Sequence, residues 1–233
     1  MKYLIITLLQ FNFGIAMGQS FVVKPAEELL KILEQSEIVS DDDIEYNMAS
    51  VYGLADNRII VLPNFGTEGI LFYDKGSLQK MIDDRKFPVK GTGNVFELYV
   101  DDMLQVEKTH QKFIDQLGHL LGMKVEVSDD PKNLDSLSAH VNKFMAGKDK
   151  NDLFNGKDNL YVPLGIFFHE LVRQHIKGTW GLDKEYTLNP YYTPYITDEK
   201  NRTYRIWPTL ADRLRGKTFY CRKFLSEISK PVN

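Results

Sequence analysis

Residues 163 to about 176 constrain the fold of this chain more than any other stretch. Leu164, Ile166, Phe167, Phe168, Leu171 and Val172 put apolar side chains on several sides of a helix instead of along one stripe. Such a helix must be central, with other elements packed around it. The rest of the sequence supplies both helices and strands to do so. Residues 24–35 predict a short helix with Pro25 near its first turn and Leu29, Leu30, Ile32 and Leu33 as its apolar stripe. Residues 58–62 and 69–73 read as two strands around the turn residues Pro63-Asn64-Phe65-Gly66. A helix near 76–85 and a glycine-rich turn, Lys90-Gly91-Thr92-Gly93-Asn94, close this unit.

The longest helical periodicity runs from about 95 to 121, through Phe96, Val100, Met103, Leu104, Phe113, Ile114, Leu117, Leu120 and Leu121, with Gly122 suited to its C-terminal cap. Lys124-Val125-Glu126-Val127 predicts a short strand. Ser128-Asp129-Asp130-Pro131 then opens a helix carrying Leu134, Leu137, Val141 and Phe144. The polar stretch 147–159 reads as a loop or a subdomain boundary. Beyond the central helix come an aromatic-rich extended region to about Trp207 and a basic helix around 210–228. Helices and strands mix without regular βαβ alternation. The pattern predicts an α+β fold, with mixed helices around a small antiparallel sheet in a single compact domain.

A hydrophobic fraction of 43% against 26% charged residues excludes a disordered chain, and 233 residues can bury a core without staples. The formal net charge of −3 leaves no electrostatic footprint for nucleic acid, so none is expected as a partner. The one cysteine, Cys221, excludes an internal disulfide and any multi-cysteine zinc or iron–sulfur site. Among Phe219, Tyr220 and Phe224 it reads as a buried small hydrophobe.

The N-terminus has the layout of a secretory signal peptide. Met1-Lys2 is a short positive start, Tyr3 to Leu9 is apolar, and Ala16 and Gly18 stand at −3 and −1 of a cut before Gln19. Gln10 and Asn12 interrupt the apolar run, which disfavours a membrane anchor, and no cysteine follows to carry lipid. The expected organisation is therefore a signal peptide over 1–18 and one α+β domain over 19–233. The expected location is secreted or periplasmic, with no integral membrane segment after cleavage. Loss of Lys2 makes the mature chain one charge more negative.

Candidate chemistry is sparse. His169-Glu170-Leu171-Val172-Arg173-Gln174-His175 superficially resembles a zinc helix, but that motif needs its second histidine at i+4. Here i+4 is Arg173, and His175 at i+6 lies about 120° round the helix. Glu170 and Arg173 are expected to form a local ion pair on the exposed side, with His175 near the helix C-terminus. Asp115 and His119 form an i, i+4 pair suited to a helix surface. Asp41-Asp42-Asp43-Ile44-Glu45 and Asp149-Lys150-Asn151 lack the glycine of a calcium loop and read as solvated loops or caps. No Gly-x-Ser-x-Gly elbow occurs, and Lys90-Gly91-Thr92-Gly93-Asn94 lacks the Gly-Lys-Ser/Thr ending of a phosphate loop. No catalytic residue, metal or cofactor is assigned. Paired carboxylates would be spatial, so a hydrolase with an acid near Glu170 is kept as an alternative.

One region departs from background. Both tryptophans, Trp180 and Trp207, bracket Tyr186, Tyr191, Tyr192, Tyr195 and Tyr204. Asn189-Pro190 ahead of Tyr191-Tyr192-Thr193-Pro194-Tyr195 predicts an extended, stiff segment. Tyrosines on such a platform can stack on sugar rings or supply contact area to a protein, or they can plug the sheet against the central helix. Trp180, Tyr191, Tyr192, Tyr195 and Trp207 are the candidate binding residues. Residues 165–173, then Gly178-Thr179-Trp180-Gly181-Leu182 and Asn189-Pro190, resemble a block in uncharacterised bacterial α+β proteins. In that pattern an apolar helix ends in a Gly-x-Trp turn and a tyrosine-containing hairpin follows. The resemblance implies no catalytic residue. The expected function is non-catalytic binding of a protein or carbohydrate partner by an exported bacterial protein, with a cytosolic immunity-type inhibitor as a further alternative.

Overall fold

The computed structural model describes residues 20–43, 49–84, 86–91, 93–154, 158–186 and 189–231. The apolar N-terminal segment lies outside them. The first part of the chain is a five-stranded antiparallel sheet with one helix on each face. Strands β1 (Phe21–Pro25), β2 (Ile38–Asp43), β3 (Ser50–Leu54), β4 (Ile59–Leu62) and β5 (Glu68–Phe72) take the order β1-β5-β4-β3-β2. Period-2 alternation sends Ile60, Leu62 and Leu71 to one face, where α1 (Ala26–Glu34) inserts Leu29. Val61, Ile70 and Phe72 go to the other, where α2 (Lys75–Asp84) adds Leu78, joined by Phe87 and Val89. Asp74 ahead of α2 accepts the Ser77 N–H at 2.8 Å, closing the helix start.

Asp41, Asp42 and Asp43 are not a loop. They complete the edge strand β2, paired with Tyr52, Val51 and Ser50. Pairing to β3 overrides the poor strand propensity of aspartate, which is tolerated at a sheet edge.

The remaining chain is built around the predicted central helix, α6, which runs Tyr161–Ile176, with Tyr161 to Val172 buried without interruption. The expected continuous helix over 95–121 is three pieces: a 3-10 turn (Val95–Tyr99), α3 (Val100–Met103) and α4 (Val106–Leu121). Asn94 and Glu97 form a capping box that starts a helix at 95, but Leu104 projects to solvent and Gln105 leaves helical geometry before α4. Gly122 ends α4 in the left-handed conformation, as expected. The predicted strand at 124–127 belongs to no sheet, although its burial alternates. In α5 (Pro131–Met145) Asp130 caps the N–H groups of Lys132 and Asn133, and Pro131 fills the first turn.

After α6, strands β6 (Thr179–Tyr186), β7 (Pro190–Thr197) and β8 (Thr203–Tyr204) form a second antiparallel sheet, in that order. The expected single basic helix is two, α7 (Trp207–Arg215) and α8 (Cys221–Ile228), separated where Gly216 adopts an extended conformation. Among the described residues eight α-helices thus combine with two antiparallel sheets, an α+β fold with two sheets in place of the one expected. No helix among them is long and apolar enough to cross a membrane.

The large apolar cluster takes in α4, α5, α6, α7 and α8, and Leu153 in the middle of 147–159 belongs to it. The change from the sheet clusters to this one falls between Val89 and Val95. A buried carboxylate sits at that junction. Glu97 accepts the N–H groups of Gly91, Gly93 and Asn94 at 3.0–3.1 Å, and the Asn189 amide at 3.2 Å. Asn189 also bonds Phe87 N–H and the Val89 carbonyl.

Candidate functional site

The C-terminal half of β7 divides by strand parity. On β7, Pro194 and Ile196 point inward and are buried, and Trp180 and Leu182 pair with them on β6. Trp207 is a core residue at 6% exposure. Its indole N–H donates to the Pro194 carbonyl at 2.7 Å, and its ring lies against Gly165, where a Cβ would come within 2.0 Å of ring carbon. Only glycine at 165 lets α6 and the indole approach so closely. Trp207 is therefore a core residue, with its ring enclosed between Gly165 and β7.

Trp180 is half-buried, tilted over the His169 and His110 rings at 5.9 and 6.2 Å. Tyr191 and Tyr192 are half-buried and packed against the main cluster, Tyr191 stacking on Phe96 at 6.4 Å. Tyr195 differs. Its ring lies across Gly181 on β6, where a Cβ would meet it at 2.3 Å, and the Arg205 guanidinium sits over it at 5.1 Å. Arg205 reaches on to Asp183, Nε to Oδ2 at 3.0 Å. Gly181, Asp183, Thr193, Tyr195 and Arg205 form the outer face of the β6–β7–β8 sheet, each partly or largely exposed. The structure thus groups Tyr195 with Asp183 and Arg205, two residues the sequence reading did not select. Sequence position alone gives no sign of Arg205; the hairpin register that brings it beside Tyr195 does.

The polar residues of α6 lie behind this sheet. His169 is fully buried, with Nδ1 2.8 Å from the Gly165 carbonyl oxygen, while Nε2 has no hydrogen-bond partner among the described residues. Burial brings its pKa down to about 4, so the ring is neutral and its Nδ1–H donates to that carbonyl. Glu170 is not on the exposed side: it is 2% exposed. The expected partner is right, since Arg173 holds it through Nε and Nη2, both at 2.7 Å, and Gln174 adds a third bond at 2.8 Å. Burial alone would raise the Glu170 pKa, but the bonds from Arg173 and Gln174 outweigh it and hold the carboxyl below its ordinary value. An ionised, fully bonded carboxylate is poorly suited to act as a general acid. His175 reaches Asp129 at 3.8 Å.

Asp115 is bonded by Gln111 at 2.8 Å. Among the described residues no three His, Cys, Asp or Glu side chains are grouped to hold a metal ion. Cys221 is fully buried, and burial pushes its thiol up to about 12, so it carries no nucleophilic thiolate at neutral pH. A cleft of about 850 Å³ lies elsewhere, between α4 and residues 123–127. Glu97 went unselected in the sequence, although the Asn94-x-x-Glu97 spacing is a capping-box signal.

No protein family, curated protein or solved structure matches this chain.

Proposed function

We propose that this chain acts by binding a protein partner without catalysis, and that the contact surface is the outer face of β6–β7–β8. The observation that carries the reading is Tyr195, laid flat on Gly181 beneath Arg205, with Asp183 and Thr193 alongside. Tyrosine and arginine dominate the energetics of protein interfaces because they combine a large rigid contact area with hydrogen-bonding ends. A sugar would need a free tyrosine face, and the guanidinium lies over that ring, so a protein suits this surface better than a carbohydrate. Glu170, the acid of the hydrolase alternative, has its carboxylate taken up by Arg173 and Gln174, which favours the binding reading over that alternative. The layout of residues 1–18 supports an exported, secreted or periplasmic protein of bacterial type.

Chemical cross-linking in the native host tests the surface. The wild-type chain should capture a partner that the folded variants Tyr195→Ala and Arg205→Glu lose. Capture of the same partner by both variants overturns the reading. N-terminal sequencing of the natural protein should begin at Gln19; a start at Met1 removes the export.

A further inference from the structure

Residues 123–127 alternate in burial with the period of a β-strand, yet no strand lies beside them. Met123, Val125 and Val127 turn toward the helical core, which they pack against, while Lys124 and Glu126 point to solvent. That alternation is the period of a strand lying flat on a layer of helices. Gly118 lets the segment cross close over α4, since a Cβ there would meet the Met123 carbonyl at 2.8 Å. The Met123 N–H bonds the Gly118 carbonyl, but among the described residues no backbone hydrogen bond joins 124–127 to any other segment. In a strand lying flat, the N–H and C=O groups point sideways. Here both sides are open: the 850 Å³ cleft against α4 on one, and a smaller cleft of about 210 Å³ against α5 on the other.

We infer that this segment is a docking strand, and that the larger cleft takes an extended peptide segment of a protein partner, paired antiparallel to residues 123–127. Main-chain hydrogen bonds supply the attraction, and side chains set the register. The charges state which peptide. Lys124 and Glu126 are on the same exposed face, 84% and 61% exposed, and bond each other at 2.6 Å when nothing lies beside them. An antiparallel neighbour places its residues opposite Glu126, Val125 and Lys124 in that order, so a base, any residue and an acid, read N to C, make two cross-strand ion pairs. On its inward side the peptide meets Gly118 and the buried Ile114 of α4, with Gln111, Asp115 and His119 rimming the cleft, which favours small residues at the alternate positions.

The probe is a fluorescent seven-residue peptide, valine and alanine at its inward positions, with lysine third and glutamate fifth, read by anisotropy against the full chain. Saturable binding is expected, and exchanging the lysine and glutamate should weaken it roughly five-fold. In the variant carrying Lys124→Glu and Glu126→Lys, both fully surface changes, the preference should invert. N-methylation of alternate peptide nitrogens should abolish binding for one parity and leave it for the other, which side-chain contact alone does not predict. No saturation up to about 1 mM, no inversion, or equal loss with both methylation patterns overturns the proposal. Sedimentation equilibrium of the chain alone is the control: Lys124-Val125-Glu126 is complementary to itself in antiparallel pairing and stays so after the double exchange, so a dimer that the single change Lys124→Glu dissociates assigns the edge to a second copy and overturns the peptide reading.

Discussion

The two faces of the β6–β7–β8 sheet are made from the same short run of aromatic sequence, yet they do different physical work. The inner face delivers Ile196 and Pro194 to α6, with Trp207 seated on Gly165 and bonded to the Pro194 carbonyl. The outer face carries Tyr195 under Arg205, with Asp183 at the far end of the guanidinium. Aromatic density therefore does not mark a binding site by itself. What separates core from surface at Pro194, Tyr195 and Ile196 is parity along β7, whereas Tyr191, of the same parity as Tyr195, is drawn in against Phe96, and the contrast can be broken residue by residue.

The inner face should carry the largest effect. Trp207→Ala empties a packed site and is expected to cost about 3–5 kcal/mol of unfolding free energy in urea titrations. Gly165→Ala attacks the same contact from α6 by overpacking and should cost about 1–3 kcal/mol. The two changes share one contact, so Gly165→Ala should be far less damaging in the Trp207→Ala background. Simple additivity of the two would mean that the indole and the glycine are not in contact.

Next is acid. His169 sits behind the inner face, fully buried and neutral, with its pKa brought down to about 4 by burial. The unfolded chain takes up a proton at His169 below about 6.5, while the folded chain refuses it until about 4. Its contribution to stability is complete above pH 6.5 and falls as pH drops from 6.5 to 4, by roughly 3 kcal/mol. His169→Met, which cannot titrate, should remove that part of the pH dependence. An unchanged slope between pH 4 and 6.5 in the variant would assign it to other groups.

These contrasts also explain how far the sequence could be read. α1, α2, β4 and β5 follow from local periodicity and caps, and so does the burial of α6, because each pattern is complete within its own segment. The breaks at Leu104–Gln105 and at Gly216 were not legible from apolar spacing, which continues through both. Asp41 to Asp43 look like a loop until β3 is alongside to pair them. Residues 124–127 carry strand patterning that is locally correct, but pairing is a property of two segments. The split between Trp207 and Tyr195 depends on the register of the β6–β7 hairpin, which a tyrosine count does not contain. The spacing of Glu170 and Arg173 is enough to pair them, but a helix apolar on several sides leaves no spacing signal for its exposed edge, and Glu170 is buried.

That buried pair supplies the next step down. Arg173→Met leaves the Glu170 carboxylate with Gln174 as its remaining bonded side chain, at 3% side-chain exposure. Because Arg173 is itself about one-third exposed, water can partly replace it, and a loss of about 2 kcal/mol is expected in place of the larger cost of a fully enclosed pair. Adding Glu170→Gln should recover most of it, because the orphaned charge is then gone. If the double variant is no more stable than Arg173→Met alone, the packing of the arginine stem is what matters.

The smallest effect belongs to the outer face. The Arg205–Asp183 pair is 46% and 32% exposed, and such pairs contribute about 0–1 kcal/mol. The guanidinium over Tyr195 adds about 0.5–1 kcal/mol at an exposed site. Arg205→Ala should therefore shift the urea midpoint only slightly, and less still in 1 M salt, where screening removes most of the ion-pair contribution. Partner capture should respond in the opposite proportion: the change that barely touches stability should abolish cross-linking. A change at the inner face that leaves the chain folded, such as His169→Met at pH 7.5, should leave capture intact. If Arg205→Ala instead destabilises the chain as much as Arg173→Met does, the outer face is a structural surface, and the division between the two sides of the sheet fails.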